Sequence, residues 1–285
     1  MPGTLVPRLS PRPIRRTAWA IVGAMLALAL LLPERGLAAG SDGPDAVGLL
    51  WLPDGEAPSV PPAVVIAVHE LTGIDPRGWR YGEQITAAGI AVLHVELRDV
   101  SADNAGSAAV ADDAAAALAR LLLVIDILAE DPRFANAGLG LLAFGTAGEA
   151  AMLAAADPVY GGRIAALVLL YPGCAGLDAA AATAGGGLRS PVLLLHGDAD
   201  PANSPADCSG LAARLAHTAP VRRVQYAGAS YAWDWAPSGL HEVPELPWPG
   251  QPGLRVAVRH SPEGAALSAT RAASFFAAAF AARQR

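Results

Sequence analysis

The chain has 285 residues, 53% of them apolar, and a formal net charge of −6. That length suits one large α/β domain or two small ones, and the apolar share allows a sizeable core, although much of it is Ala, which buries little area per residue. An acidic balance with no basic stripe excludes nucleic acid as the main partner.

The N-terminus reads as a targeting segment. Arg8, Arg12, Arg15 and Arg16 precede the uncharged apolar run 19–32, and Gly36-Leu37-Ala38 offers the small residues a signal peptidase reads. Residues 1–39 are therefore expected to be a signal peptide or an uncleaved membrane anchor, and the run is short for a full span. Export with cleavage near Ala38 or Ala39 is the favoured reading, giving a periplasmic or secreted protein that meets a membrane only through this segment if it stays attached. The remaining residues, 40–285, form one domain with no internal repeat.

In chain order, a short strand over 47–52 ends at Pro53-Asp54-Gly55, a turn signal. Pro61-Pro62 launches the β-branched strand 63–69. A helix over 79–88 stops at Gly89, and a strand follows over 90–95. The long Ala/Leu helix 107–128 carries Asp112 and Asp113 near its N-terminal end, where the macrodipole favours them. Strand 139–144 leads into a helix over 149–156, and strand 164–171 stops at Pro172-Gly173. The low-complexity Ala/Gly stretch 179–187 reads as a surface loop or lid fragment. Strand 191–196, helix 205–216 and strand 221–226 follow. The Pro- and Trp-rich segment 240–254 reads as irregular loop, and 262–282 as a closing amphipathic helix. Strands alternating with helices imply a mostly parallel central sheet with helices on both faces.

One motif stands out for what it lacks. Leu141-Leu142-Ala143-Phe144-Gly145-Thr146-Ala147-Gly148 is an apolar strand, a tight small-residue turn and the start of a helix. In hydrolases with a G-x-S-x-G elbow the middle residue of that turn is the attacking Ser or Cys. Here it is Gly145, which has no side chain. The same stretch is one residue away from the dinucleotide fingerprint G-x-G-x-x-G, but it lies mid-chain and no acidic residue ends the next strand, so a nucleotide cofactor is not indicated.

Four segments together resemble the dienelactone hydrolase family of α/β-hydrolases, over nearly the whole domain. They are His69-Glu70-Leu71-Thr72-Gly73 at a strand end, the elbow 141–148, the turn His196-Gly197-Asp198-Ala199-Asp200 followed closely by Cys208, and Tyr226-Ala227-Gly228-Ala229-Ser230-Tyr231-Ala232-Trp233-Asp234. The resemblance implies an α/β-hydrolase fold and hydrolysis of a carboxylic ester or lactone without a cofactor. Carried over by position, the triad acid is Asp200, the nucleophile position is Gly145 and the histidine position is Tyr231. Glu70 matches the glutamate near the nucleophile, and the backbone N–H groups of Leu71 and Thr146 match the oxyanion hole.

Two of the three triad groups are thus replaced. Glycine supplies no alcohol or thiol, and a phenol with an ordinary pKa of about 10 is a poor base at neutral pH. The expectation is a catalytically impaired protein whose cleft binds a small ester-like ligand or a protein partner. The competing expectation is an active ester hydrolase using unconventional residues, with Thr146 and Ser230 as weak substitutes. Arg98, after a strand, is a candidate for holding an anionic ligand, against the plainer reading of a salt bridge. Trp233 and Trp235 are expected to pack in the core or pocket wall. His69, His94 and His196 with Glu70, Asp198 and Asp200 raise a metal reading, but no ligand spacing supports one; His217, His241 and His260 read as surface or loop residues. Cys174 and Cys208, each expected in a loop after a strand, form an even pair that suits a disulfide in an oxidising compartment rather than two free thiols.

Overall fold

The computed structural model describes residues 4–7, 46–53, 63–70, 74–97, 114–183, 187–236, 245–251 and 253–283. Their elements in chain order are strands β1 (Thr4–Pro7), β2 (Ala46–Trp51) and β3 (Ala63–His69), helix α1 (Arg77–Ala87), β4 (Ala91–Glu96), α2 (Ala114–Glu130), β5 (Gly138–Phe144), α3 (Gly148–Ala156), β6 (Ile164–Leu170), α4 (Cys174–Thr183), β7 (Val192–Gly197), α5 (Pro205–Leu215), β8 (Val221–Tyr226), β9 (Glu245–Pro247), β10 (Arg255–Ala257) and α6 (Pro262–Arg283).

The main sheet runs β1-β2-β4-β3-β5-β6-β7-β8. β1 and β2 are antiparallel to each other, β2 is antiparallel to β4, and the strands from β4 to β8 are all parallel. The central strands β4, β3, β5, β6 and β7 are buried on both faces because they are nearly continuous apolar runs, while β8 at the edge is partly exposed. Val64, Ile66, Leu141, Leu167 and Leu194 pack on one face with Leu121, Ile125 and Leu211 of α2 and α5. Val65, Leu142, Val168 and Leu195, one residue out of step, pack on the other with Tyr81 and Ile85 of α1 and Phe276 of α6. Gly140 on β5 is what lets α6 come close: a Cβ there would lie 2.7 Å from the Phe276 ring and 3.2 Å from that of Phe280. α6 is long and apolar enough to cross a membrane by length and composition, and Ala269, Ala272, Ala273, Phe276 and Phe280 on it are buried against the sheet.

Several expectations are corrected. Part of the stretch read as a surface loop, 179–187, is the second half of α4, because Ala has the highest helix propensity; residues 184–186 lie outside the described residues. The segment read as irregular, 240–254, contains β9, which pairs antiparallel with β10. Cys174 opens α4 and Cys208 sits in the first turns of α5, so neither is in a loop. α5 starts as its sequence dictates: the Ser204 hydroxyl accepts the Asp207 N–H at 3.1 Å, with Pro205 in the first turn. β1, from the segment expected to lie outside the fold, pairs with β2 at the sheet edge. The rest of the targeting segment lies outside the described residues, as do 107–113 with Asp112 and Asp113, and His241.

Candidate active site

The bend after β5 is where the sequence placed it. Phe144 is extended, and Gly145 to Ala147 make one tight 3-10 turn before α3. Gly145 has φ +48°, a left-handed conformation that suits glycine. The space beside it is taken. A Cβ built on Gly145 would collide with the Tyr231 hydroxyl and lie 2.5 Å from Glu70 Cδ and 2.6 Å from Glu70 Oε1. The phenol and the carboxyl therefore fill the place any side chain at 145 would need.

Tyr231 arrives from the segment after β8, anchored by a bridge to Val258, and its side chain is fully buried. Its hydroxyl donates to Glu70 Oε2 at 3.0 Å. The other oxygen of Glu70, at the end of β3, accepts from Arg77 Nη1 at 2.6 Å. Arg77, in the first turn of α1, also clamps Asp75 with Nε at 2.9 Å and Nη2 at 2.7 Å. Its guanidinium lies 4.7 Å from the centre of the Trp235 ring and 5.7 Å from that of Phe144. Among the described residues, Tyr171 (φ +41°) and Ala232 (φ +47°) are the two non-glycine residues in left-handed backbone, and both flank this cluster. The Tyr171 hydroxyl donates to Asp234 Oδ1 and that of Tyr81 to Asp234 Oδ2, each at 2.7 Å.

Asp200, which the resemblance puts at the position of the triad acid, is 2% exposed. No imidazole hydrogen-bonds to it among the described residues; it accepts from the Ala202 N–H and from Asn203 Nδ2, both at 2.9 Å. Asn203 in turn accepts from the N–H groups of Gly173 and Cys174 at 2.8 and 3.2 Å, so its amide orientation is fixed by its partners. A disulfide joins Cys174 to Cys208 beside it, tying α4 to α5.

Charge in this closed site follows from burial and one guanidinium. Burial raises the Glu70 carboxyl, with Arg77 pulling the other way. Burial would also raise Asp75, but hydrogen bonds from Arg77 and His69 and their charge outweigh it and hold that carboxyl well below the usual range. Burial pushes Asp200 up to about 6. It lifts the Tyr231 phenol well above its ordinary value, helped by the Glu70 charge. At neutral pH that phenol is a hydrogen-bond donor.

Gly145, Glu70 and Tyr231 are thus brought together, with Asp200 near enough to be felt by both side chains. Leu71 and Arg98 lie outside the described residues. Thr146 keeps a buried hydroxyl with no hydrogen-bond partner among the described residues. The side chains of the metal reading are spent on protein partners. His69 Nε2 is 3.1 Å from His94 Nδ1, His196 Nε2 faces Arg223 at 2.7 Å, and Asp198 accepts from the Gly228 N–H at 2.6 Å. Burial, then the neighbouring His69, push His94 down to about 3. Among the described residues, no three His, Cys, Asp or Glu side chains are arranged to hold a metal ion. Sequence reasoning missed Arg77, Asp75 and Tyr171. The one signal for the first two was Asp75-Pro76-Arg77 opening a helix just after the strand-end motif.

The sheet order, the glycine bend between β5 and α3, and the acid turn after β7 give this chain the α/β-hydrolase fold. No protein-family model and no curated protein matches it. Among solved structures it is similar to dienelactone hydrolase from Anabaena variabilis, with a TM-score of 0.61 and 20% identity over 80% of this chain and 89% of that one. A lipase in its open form gives a TM-score of 0.59 and 15% identity over 82% and 94%. A dienelactone hydrolase-like promiscuous phosphotriesterase from metagenomic libraries gives 0.57 and 19% over 80% and 90%. At these identities the likeness is one of fold.

Proposed function

We propose that the chain is a dienelactone hydrolase-like protein that has lost covalent ester hydrolysis and uses the rim of its former cleft to bind a small ester-like ligand or a protein partner. The observation that carries this reading is the collision between a Gly145 Cβ and the Tyr231 hydroxyl. The chain lacks a nucleophile at the bend, and the histidine position holds the group that fills the gap. Tyr231 also puts a hydroxyl oxygen where an attacking oxygen would stand, with Glu70 as its acceptor. That arrangement is the best case for an unconventional hydrolase. It is disfavoured because burial and the Glu70 charge both oppose the phenolate.

The test is hydrolysis of p-nitrophenyl acetate and simple lactones by wild type, Tyr231→Phe and Asp200→Ala. The reading expects the same background rate in all three. Turnover in wild type that Tyr231→Phe or Asp200→Ala abolishes would refute it. Export belongs to the same proposal. Its support is the Arg-rich and apolar N-terminal pattern together with the Cys174–Cys208 disulfide, which suits an oxidising compartment. Cell fractionation with N-terminal sequencing near Ala38 tests it; a cytoplasmic chain that keeps its first residues would overturn it.

A further inference from the structure

The aromatic side chains behind the site form a continuous file from the surface to the plug. Tyr226, at the end of β8, is only half-buried. Its ring centre is 5.1 Å from that of Trp233, Trp233 is 4.9 Å from Tyr171, and Tyr171 is 5.0 Å from Tyr231. The last three are fully buried. Rings at these separations touch, and contact is the condition for an electron vacancy to hop between them.

What distinguishes this file from ordinary core packing is its proton acceptors. A phenol gives up an electron readily only if its proton can leave at the same time. Tyr171 has Asp234 Oδ1 at 2.7 Å and Tyr231 has Glu70 Oε2 at 3.0 Å. Both carboxyls are raised by burial, so each can hold the proton it receives. Tyr226 has no such acceptor among the described residues: its hydroxyl receives an N–H from Arg271 at 3.4 Å, and that guanidinium lies over its ring. A neighbouring cation disfavours a vacancy there. Trp233 donates its indole N–H to the Ser268 hydroxyl, a weak base. The file therefore runs from two stations that cannot keep a vacancy to two that can.

We propose that Tyr226, Trp233, Tyr171 and Tyr231 form a hole-transfer path that draws one-electron oxidising equivalents from the protein surface and stores them as a buried tyrosyl radical. The oxidant is an outer-sphere one-electron acceptor such as an alkylperoxyl radical. It takes one electron through Tyr226 and one proton from solvent and becomes a hydroperoxide. At the other end the Tyr231 O–H bond breaks, its proton passes to Glu70, and the neutral phenoxyl radical remains. Arg77 stays balanced by Asp75 when Glu70 becomes neutral. The path rests on ring contacts and acceptors alone, so the outcome of the esterase assay neither supports nor removes it.

The test uses the full chain with ruthenium(III) tris-bipyridine, generated by a light flash with persulfate, as the oxidant. Electron paramagnetic resonance should show a tyrosyl radical whose relaxation is insensitive to an aqueous gadolinium chelate. That signal should be lost in Trp233→Phe and in Tyr171→Phe, which keep a ring but remove a station. Its formation in wild type should be slower in D2O than in H2O. A wild type giving only solvent-exposed radicals overturns the proposal, and so does a buried signal that survives in folded Trp233→Phe and Tyr171→Phe. Should those variants lose their native near-ultraviolet circular dichroism, the wild-type isotope comparison decides: equal rates in the two solvents overturn it.

Discussion

The steric relation between Gly145 and Tyr231 makes a quantitative prediction. Gly145→Ala places a Cβ in left-handed backbone at φ +48°, which costs about 1–2 kcal/mol. The same atom overlaps the Tyr231 hydroxyl and presses on Glu70, and overpacking of this kind costs about 1–3 kcal/mol. Glu70 cannot retreat, because Arg77 holds its other oxygen. The single variant should therefore lose about 2–5 kcal/mol, a large part of the stability of an ordinary domain. Tyr231→Phe removes the colliding oxygen and leaves Glu70 Oε2 short of a donor, a loss of about 1–3 kcal/mol. In the double variant the overlap with the hydroxyl is gone, so the two losses should not add. Urea denaturation of the four proteins measures the coupling. The structure expects the double variant to be about 1–2 kcal/mol more stable than the sum of the single changes. Additivity within about 0.5 kcal/mol would show that the phenol does not occupy the space beside Gly145.

Gly145→Ser with Tyr231→His should be the only combination to gain p-nitrophenyl acetate hydrolysis over wild type, and either change alone should gain none. Arg77→Met leaves Glu70 and Asp75 buried without their cation, and its cost in urea denaturation should be about 3–5 kcal/mol. Cys174→Ser with Cys208→Ser opens a link across 34 residues, and unfolding midpoints should report a loss of about 3–4 kcal/mol. Asp200, raised in the fold to about 6 from 3.8, binds more protons folded than unfolded between those values, so its contribution weakens the protein as pH rises through that window. His94, held down to about 3, slopes the opposite way below its unfolded value of 6.5. The isolating measurement is therefore Asp200→Asn against wild type. The variant should gain about 1.4 kcal/mol relative to wild type between about pH 5 and about pH 7.5; an unchanged difference would mean that Asp200 is not burdened by burial.

The fold was legible because continuous apolar strand runs and helical spacing act locally. β3 and β6 begin and end close to the bounds of their apolar runs. The errors fell where two local signals competed. Gly185, Gly186 and Gly187 read as loop and masked the helix-forming Ala residues just before them. The two cysteines follow strands in sequence, but each lies in the helix that comes next. Gly145 and Tyr231 each stand in a motif, so both positions could be marked out in the sequence. Their contact could not, because no pattern in either motif says that a hydroxyl from one fills the space left by the other. Arg77 was invisible for a similar reason. An arginine in a first helical turn ordinarily faces water, and only the fold shows it buried against Glu70, Asp75, Phe144 and Trp235. These facts constrain how the site can change. A serine at 145 alone meets the phenol, and a histidine at 231 alone faces a bare backbone and takes the phenol donor from Glu70 Oε2. Each substitution is disfavoured while the other residue stays as it is, so the pair behaves as one steric unit that opens or closes together.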